Sequence, residues 1–161
     1  MPQPLLAIDS AGAACSAAVW REGSLAAERF EAMQRGQSER LLPLVEAALR
    51  DAGTGYGELA AIAVTTGPGG FTGPRIGLAA ARGLALAAGI PAIGVGSFLA
   101  HAAAVEPRER TGRGLWVALD SRREEIYLQA FDAELGEAGP PAVLPPEEVA
   151  PRLSGERVLL A

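Results

Sequence analysis

Two segments of the chain match each other without a gap, and this repeat constrains the fold more than any other feature. LLAIDSAGAACSAAVW (5–20) aligns with WVALDSRREEIYLQAF (116–131). Both copies place Asp-Ser between stretches of alternating apolar residues, a pattern typical of a strand, a turn and a second strand. Each half of the chain is therefore predicted to open with the same β-hairpin, and the protein to consist of two related halves.

In the first half, a third strand, two helices and two further strands are predicted to follow the hairpin. SLAAERF (24–30) alternates as a strand. One helix is predicted to begin with Ser38 as its cap and to end at Gly53, and a second to run from Pro74 to about Ala88. LAAIAVT, before the second helix, is interpreted as a buried strand and PAIGV, after it, as another short strand, and SFLAHAAAV begins a third helix.

The chain is predicted to divide into a first subdomain (1–105), a linker (106–114) and the start of a second subdomain (115–161). The linker, EPRERTGRG, is charged and contains glycine. The second half continues with a strand near 142–144, a short helix in PPEEVAPRL and a final strand in ERVLLA. Counterparts of the helices in the first half are missing there, so we expect the native chain to be longer.

Composition argues against several classes of function. The formal net charge is −5 and the chain has no lysine, so it lacks a P-loop lysine, a Schiff-base lysine and a polybasic tail. Cys15 is the only cysteine and is predicted to be a buried strand residue. Because a single cysteine forms no disulfide within the chain and no secretion signal is recognised, we expect a cytoplasmic protein. The uncharged stretch 83–100 is interpreted as core and not as a membrane span, because Gly89 and Pro91 interrupt it.

A glycine loop precedes the second helix and is formed by Gly67, Pro68, Gly69, Gly70, Phe71 and Thr72. It lacks the Gly-Lys-Ser/Thr of a Walker A motif and the third glycine of a dinucleotide fingerprint. Two interpretations stay open: backbone amides that bind a phosphate, or glycines that let two backbones pack closely, which we favour. Small residues recur every four positions along the helix: Gly73, Gly77, Ala81, Ala85 and Gly89. They predict a close neighbour on that face, which could be the helix over 38–52 or another subunit, and we favour a helix layer that contacts both.

Asp9, Ser10 and Asp120 are the candidates for phosphate chemistry. Paired hairpins with small residues and aspartate clamp nucleotide phosphates and a metal in actin-like ATPases, although the second hairpin continues with bulky charged residues. The alternative is that Asp9 and Asp120 order their turns through local bonds to the backbone. We favour the alternative and assign no catalytic residue and no metal site; the single histidine, His101, has no obvious partner.

Three segments, LLAIDSAGAACSAAVW, SERLLPLV and GPGGFTGPRIG, together resemble the TsaB (YeaZ) family of bacterial tRNA threonylcarbamoyladenosine biosynthesis proteins. The family is similar to the TsaD transferase and has also been described as an inactive glycoprotease homologue and a chaperone. The resemblance implies an α/β fold of the actin-like ATPase (ASKHA, ribonuclease H-like) class with two βββαβα-type halves, the second incomplete here. Gly70 and Pro74 depart from the family, which usually has serine and an aliphatic residue there.

The resemblance also implies a function. The chain would be a non-catalytic partner of a TsaD-like subunit, required for threonylcarbamoyl transfer to the adenosine next to the anticodon (t6A) in tRNAs that read codons beginning with A. A TsaE-like ATPase would join the complex, and tRNA would be contacted mainly through the partners, away from any membrane. No cofactor of its own is implied, and a stand-alone nucleotide-binding or weakly hydrolysing protein of the same fold, using ATP, is the alternative.

The partner interface implied by the resemblance lies on the two helices of the first half. Its predicted residues are Leu41, Leu44, Val45, Ala48, Gly73, Arg75, Ile76, Gly77, Ala80 and Ala81. Arg75 is expected to brace the contact by hydrogen bonds, and the same helices are expected to pair in a homodimer when the partner is absent. Gly77→Leu is therefore predicted to abolish pairing and to leave the monomer folded.

Overall fold

The structure, a computed structural model, describes residues 3–153 and 157–160. Contacts between residues group them into two units. The first unit contains the residues up to 66 together with 70–95, and the second contains 67–69 and the residues from 96 onward.

The first unit is a five-stranded sheet with two helices. Its elements are β1 (Leu5–Asp9), β2 (Ala14–Arg21), β3 (Ser24–Ala32), α1 (Gln37–Asp51), β4 (Ala61–Thr65), α2 (Gly73–Ala88) and β5 (Ala92–Val95). The strand order is β3-β2-β1-β4-β5, in which the first three strands pair antiparallel and β4 and β5 continue parallel to β1. This arrangement confirms the predicted hairpin, third strand and two strand–helix–strand crossovers.

One face of this first sheet forms the core with α1 and α2. Leu6 of β1, Val19 of β2 and Ile62 of β4 point to this face and are fully buried. They pack against Leu41 and Val45 of α1, which are buried to the same degree. Every second residue of these strands points to this face, and each helix turns its apolar stripe toward it. The two sets of side chains therefore form one core.

The start of α1 differs from the prediction that Ser38 caps it. The cap lies two residues earlier, at Gly36, which is in the left-handed region (φ 98°), and the helix begins at Gln37. The amides of Glu39 and Arg40 donate to the Gly36 carbonyl over 3.0 and 3.1 Å, and no side chain caps the helix. The hydroxyl of Ser38 was a misleading signal because a glycine two positions upstream already supplies the turn.

Two ion pairs fasten α1 to β3. Arg29 pairs with Asp51 at the end of α1, and Arg40 pairs with Glu31 near its start. The hydrogen bond from Arg40 holds the pKa of the exposed Glu31 carboxyl below its usual value. All four side chains are at least partly exposed. The two ion pairs therefore help to position α1 on β3 but contribute little to the free energy of unfolding.

The second unit repeats the strand arrangement of the first. Its elements are α3 (Ser97–Ala103), α4 (Pro107–Arg110), β6 (Leu115–Asp120), β7 (Ile126–Phe131), β8 (Ala142–Leu144), α5 (Pro146–Val149) and β9 (Arg157–Leu160). Its order is β8-β7-β6-β9, with β6 antiparallel to β7 and parallel to β9. This matches β3-β2-β1-β4 and confirms that the two matching segments form equivalent hairpins.

The contacts divide the chain earlier than the predicted linker 106–114. Residues 96–105 group with the second unit, because Phe98 and Ala102 of α3 pack into the core that β6 forms with Phe131. The predicted linker itself contains the short helix α4. The division into subdomains at 1–105 and 115–161 stays a prediction.

The uncharged stretch 83–100 contains the end of α2, the strand β5 and the start of α3. Its interpretation as core is confirmed for Ala85 of α2 and for Ser97 and Phe98 of α3, which are buried. It is wrong for the rest of the stretch, where side chains such as Leu86 and Ile93 are exposed. Within the part of the chain that the structure describes, none of the helices has both the length and the apolar character needed to cross a bilayer.

Candidate functional site

The glycine loop brings the start of α2 into direct contact with the turn between β1 and β2. The amide of Gly70 donates to the carbonyl of Ala11 over 2.9 Å, and the Ser10 hydroxyl donates to the carbonyl of Gly73 over 2.8 Å. A Cβ atom on Gly73 would lie 2.0 Å from the Ser10 carbonyl oxygen, and one on Gly77 would lie 2.7 Å from Ser10 Oγ. Glycine at these two positions therefore permits a close backbone approach, which supports the interpretation we favoured.

The turn after β1 is held by its own side chains. Asp9 Oδ1 accepts hydrogen bonds from the amide of Ala11 over 2.8 Å and from Thr65 Oγ1 over 2.6 Å. Ser10 is almost completely buried beneath α2. The carboxylate that was a candidate for phosphate or metal chemistry thus orders the hairpin and ties it to the end of β4.

The equivalent turn of the second unit has the same local design. Asp120 Oδ1 accepts a hydrogen bond from the amide of Arg122 over 2.7 Å. Ser121 Oγ donates to the carbonyl of Glu125 over 2.5 Å and accepts from the amide of Arg123. Within residues 3–153, no three His, Cys, Asp or Glu side chains converge as metal ligands would.

Six of the predicted interface residues are buried in the core of the first unit. Leu41, Leu44, Val45, Ala48, Gly77 and Ala81 lie on the faces of α1 and α2 that pack against the first sheet. Ile76 and Ala80 are half-buried against the same core, Gly73 is half-buried beside the hairpin, and only Arg75 is exposed. A side chain covered by its own sheet cannot reach a partner, so this part of the interface prediction is corrected.

The same correction applies to the stripe of small residues and to Gly77→Leu. Gly77, Ala81 and Ala85 face the sheet, where a larger side chain at 77 would meet Ser10 and Val64. Leucine at this position would therefore damage the monomer and would not be a clean test of pairing.

The exposed face of α2 carries the side chains that a partner could contact. Phe71 and Leu86 are 74% and 85% exposed, and Arg75, Ala79 and Arg82 are exposed between them. The Arg75 guanidinium lies 3.9 Å from the centre of the Phe71 ring and donates a hydrogen bond to the Phe71 carbonyl. Arg75 thus holds an exposed aromatic ring at the start of the helix.

Ala79, Arg82 and Leu86 are surface residues that were not predicted from the sequence. The available signal was their spacing, because positions 75, 79, 82 and 86 follow the helical repeat on the side opposite the small residues. The more apolar side of α2, which was predicted to meet the partner, faces the sheet.

Cys15 on β2 is fully buried, as predicted. Burial, together with the charges of Asp9 and Glu31, raises the pKa of its thiol from 9.0 to about 11. Because the native state favours the neutral thiol, this contribution to stability is complete below pH 9 and is lost as the pH rises through about 11.

We expect the folded protein to react with a disulfide reagent such as DTNB at pH 8 far more slowly than the unfolded protein. The reason is that both burial and the raised pKa suppress the reactive thiolate. Absorbance of the released thiol, with and without denaturant, measures the difference. Equal rates would show that β2 is not packed as described.

Comparison with known proteins gives a consistent family. A family model for TsaD, tRNA N6-adenosine threonylcarbamoyltransferase, matches residues 31–156. The tRNA threonylcarbamoyladenosine biosynthesis protein TsaB of Escherichia coli is 40% identical over 162 residues, covering 96% of this chain and 69% of that protein. Its Haemophilus influenzae counterpart is 35% identical over 124 residues, covering 77% of this chain and 52% of that protein.

The fold agrees with the sequence comparison. The solved structure of YeaZ from Pseudomonas aeruginosa superimposes with a TM-score of 0.77 at 37% identity, covering 92% of this chain and 69% of that one. Strand order, the repeated hairpin and this likeness identify the predicted actin-like α/β fold. The chain belongs to the TsaB (YeaZ) family.

Proposed function

We propose that this chain is a non-catalytic subunit in the synthesis of threonylcarbamoyladenosine in tRNA, and that it binds a TsaD-like transferase through the exposed face of α2. Its E. coli and H. influenzae relatives are named for this biosynthesis, which supports the role. The observation that carries the binding site is the pair of exposed side chains Phe71 and Leu86, with Arg75 bracing the first. Exposed aromatic and arginine side chains are the residues that dominate protein interfaces.

The hairpins support the non-catalytic part of the proposal. Ser10 lies beneath α2, and the carboxylates of Asp9 and Asp120 accept hydrogen bonds from their own turns. The close contact with Gly73 fills the space in front of the first turn with the chain's own helix. Threonylcarbamoyl transfer would then be the work of the TsaD-like subunit, with tRNA and a TsaE-like ATPase meeting the complex in the cytoplasm and no cofactor bound by this chain.

Size-exclusion chromatography with light scattering tests the proposal, using this chain alone and mixed with the TsaD of the same organism. A transfer assay on tRNA follows with each subunit alone and with both. We expect a heterodimer, and modification only when both subunits are present. ATP hydrolysis by this chain alone, with no complex formed, would instead establish the stand-alone nucleotide-binding alternative.

A further inference from the structure

The strand β3 forms one edge of the first sheet, and its outer side is open. Among the residues that the structure describes, β2 is the one strand that pairs with it. The amide of Met33 donates to the Ala13 carbonyl over 2.9 Å and so points toward β2. Because these directions alternate along an antiparallel strand, the amides and carbonyls of residues 28, 30 and 32 point away from β2. We call residues 28–32 the β3 edge.

The β3 edge has the regular backbone that strand pairing requires. It contains no proline and no glycine, and the irregular register between β2 and β3 lies nearer the start of β3, opposite Val19 and Trp20. The outward carbonyl of Glu28 accepts a hydrogen bond from the Arg29 guanidinium over 3.2 Å, which agrees with its direction away from β2. A regular, open edge pairs with another strand unless its side chains prevent it.

Arg29 and Glu31 determine which strand can pair with the β3 edge. Both side chains lie on the face that α1 covers, where Arg29 pairs with Asp51 and Glu31 pairs with Arg40. They are nevertheless 48% and 36% exposed, so an incoming strand would meet them. Such a strand is favoured if it places an acidic residue opposite Arg29 and a basic residue opposite Glu31.

A second copy of β3 meets this requirement in one register. When two copies pair antiparallel with Phe30 opposite Phe30, Arg29 of each copy lies opposite Glu31 of the other. The same register joins residues 28, 30 and 32, whose backbone groups point outward, to their counterparts. A shift by two residues would place Arg29 opposite Arg29, or Glu31 opposite Glu31. Like charges directly opposite each other destabilise a strand pair, so the side chains that favour this register exclude its neighbours.

We propose that two copies of this chain associate through the β3 edge, which joins their first sheets across a twofold axis at Phe30. Each Arg29 then links Asp51 of its own copy to Glu31 of the other copy. That glutamate is in turn paired with Arg40, so four side chains form a line of alternating charge on each side of the axis. Phe30, which is 62% exposed, meets its own counterpart.

This association uses a different surface from the helix-mediated homodimer expected from the sequence, and it does not depend on the proposed function. Five residues of each strand span about 17 Å. So small an interface is expected to be weak, with a dissociation constant of about 10 to 100 µM. At lower concentrations the chain is monomeric, and a heterodimer formed through α2 keeps one copy of each subunit.

Sedimentation equilibrium of the 161-residue chain, over concentrations that bracket this value, tests the proposal. We expect an equilibrium between monomer and dimer. Arg29→Glu and Glu31→Arg should each weaken the dimer at least tenfold, because like charges then face each other across the axis. An equal mixture of these two variants should dimerise again, since each acidic edge meets a basic one. Arg152→Glu, which reverses an exposed arginine of the second unit, is the matched control and should leave the dimer unchanged.

Phe30→Pro provides a test that does not involve charge. The amide of Phe30 points away from β2, so proline removes no hydrogen bond within the monomer but removes one at the axis. The dimer should again weaken at least tenfold. Far-UV circular dichroism verifies that each variant is folded, and Phe30→Pro decides the outcome if a charge variant is not.

The proposal is overturned if the native chain stays monomeric over the whole range, or if Phe30→Pro dimerises like the native chain. It is also overturned if the two charge variants fail to dimerise with each other. A dimer that Leu86→Glu dissociates and the β3 variants do not would overturn it as well, because the helices would then form the contact.

Discussion

Gly73→Ala is expected to lower the free energy of unfolding by about 3 kcal/mol or more, although it adds one methyl group to a helix. The new Cβ would lie 2.0 Å from the carbonyl oxygen of Ser10 and 3.1 Å from its carbonyl carbon. The neighbour is backbone and cannot rotate away, and hydrogen bonds through Asp9 and Gly70 hold the same turn in place. Either α2 or the hairpin must shift, and each is packed on the first sheet.

Gly83→Ala is the matched control in the same helix. No atom lies within 4 Å of the Cβ position at Gly83, which is exposed. Alanine there should raise the free energy of unfolding by up to about 1 kcal/mol, because it favours the helical backbone over glycine. Urea unfolding followed by circular dichroism measures both changes. Equal stability of the two variants would mean that the contact between Ser10 and Gly73 is looser than described.

Leu86→Glu is expected to weaken the complex with the TsaD-like subunit by at least about 30-fold, which corresponds to about 2 kcal/mol. Leu86 is 85% exposed at the end of α2 and contributes little to the core. In the proposed complex it is covered by the partner, and a carboxylate there would lose its hydration without gaining a counter-charge. Isothermal titration calorimetry with the purified partner gives the affinity.

Phe30→Glu serves as the control for this second prediction, because it also places a glutamate at an exposed apolar position but lies on β3, away from α2. It should bind the TsaD-like subunit with the affinity of the native chain. If Leu86→Glu binds normally while the native chain forms the heterodimer, the partner role survives and the exposed face of α2 is not its site. If the native chain forms no heterodimer, the proposed function itself is wrong.

Much of the fold could be predicted from the sequence because its signals are local. Alternation in LLAID and the matching WVALD segment indicated the two hairpins, and glycine and proline marked the limits of α2 and β5. The spacing of Gly73 and Gly77 indicated a close neighbour. Each of these signals depends on residues near one another in the chain.

The site was harder to predict because its contacts are not local. Periodicity shows that α1 and α2 have an apolar face, but it does not say whether a sheet of the same chain or another subunit covers that face. Leu41 and Val45 are buried by the first sheet, and the surface left on α2 is formed by less apolar positions such as Ala79 and Arg82. The identity of the close neighbour of Gly73, the turn at Ser10, likewise required the three-dimensional structure.

The contact between Ser10 and Gly73 also has a consequence for the order of folding. It joins residues separated by 63 positions, and the parallel pairing of β1 with β4 closes a loop of similar length. Such closure costs chain entropy before it gives any stabilisation, so it slows folding. During synthesis, the hairpin emerges from the ribosome first but cannot be locked until α2 has followed it. The N-terminal turn is therefore made early and fixed late.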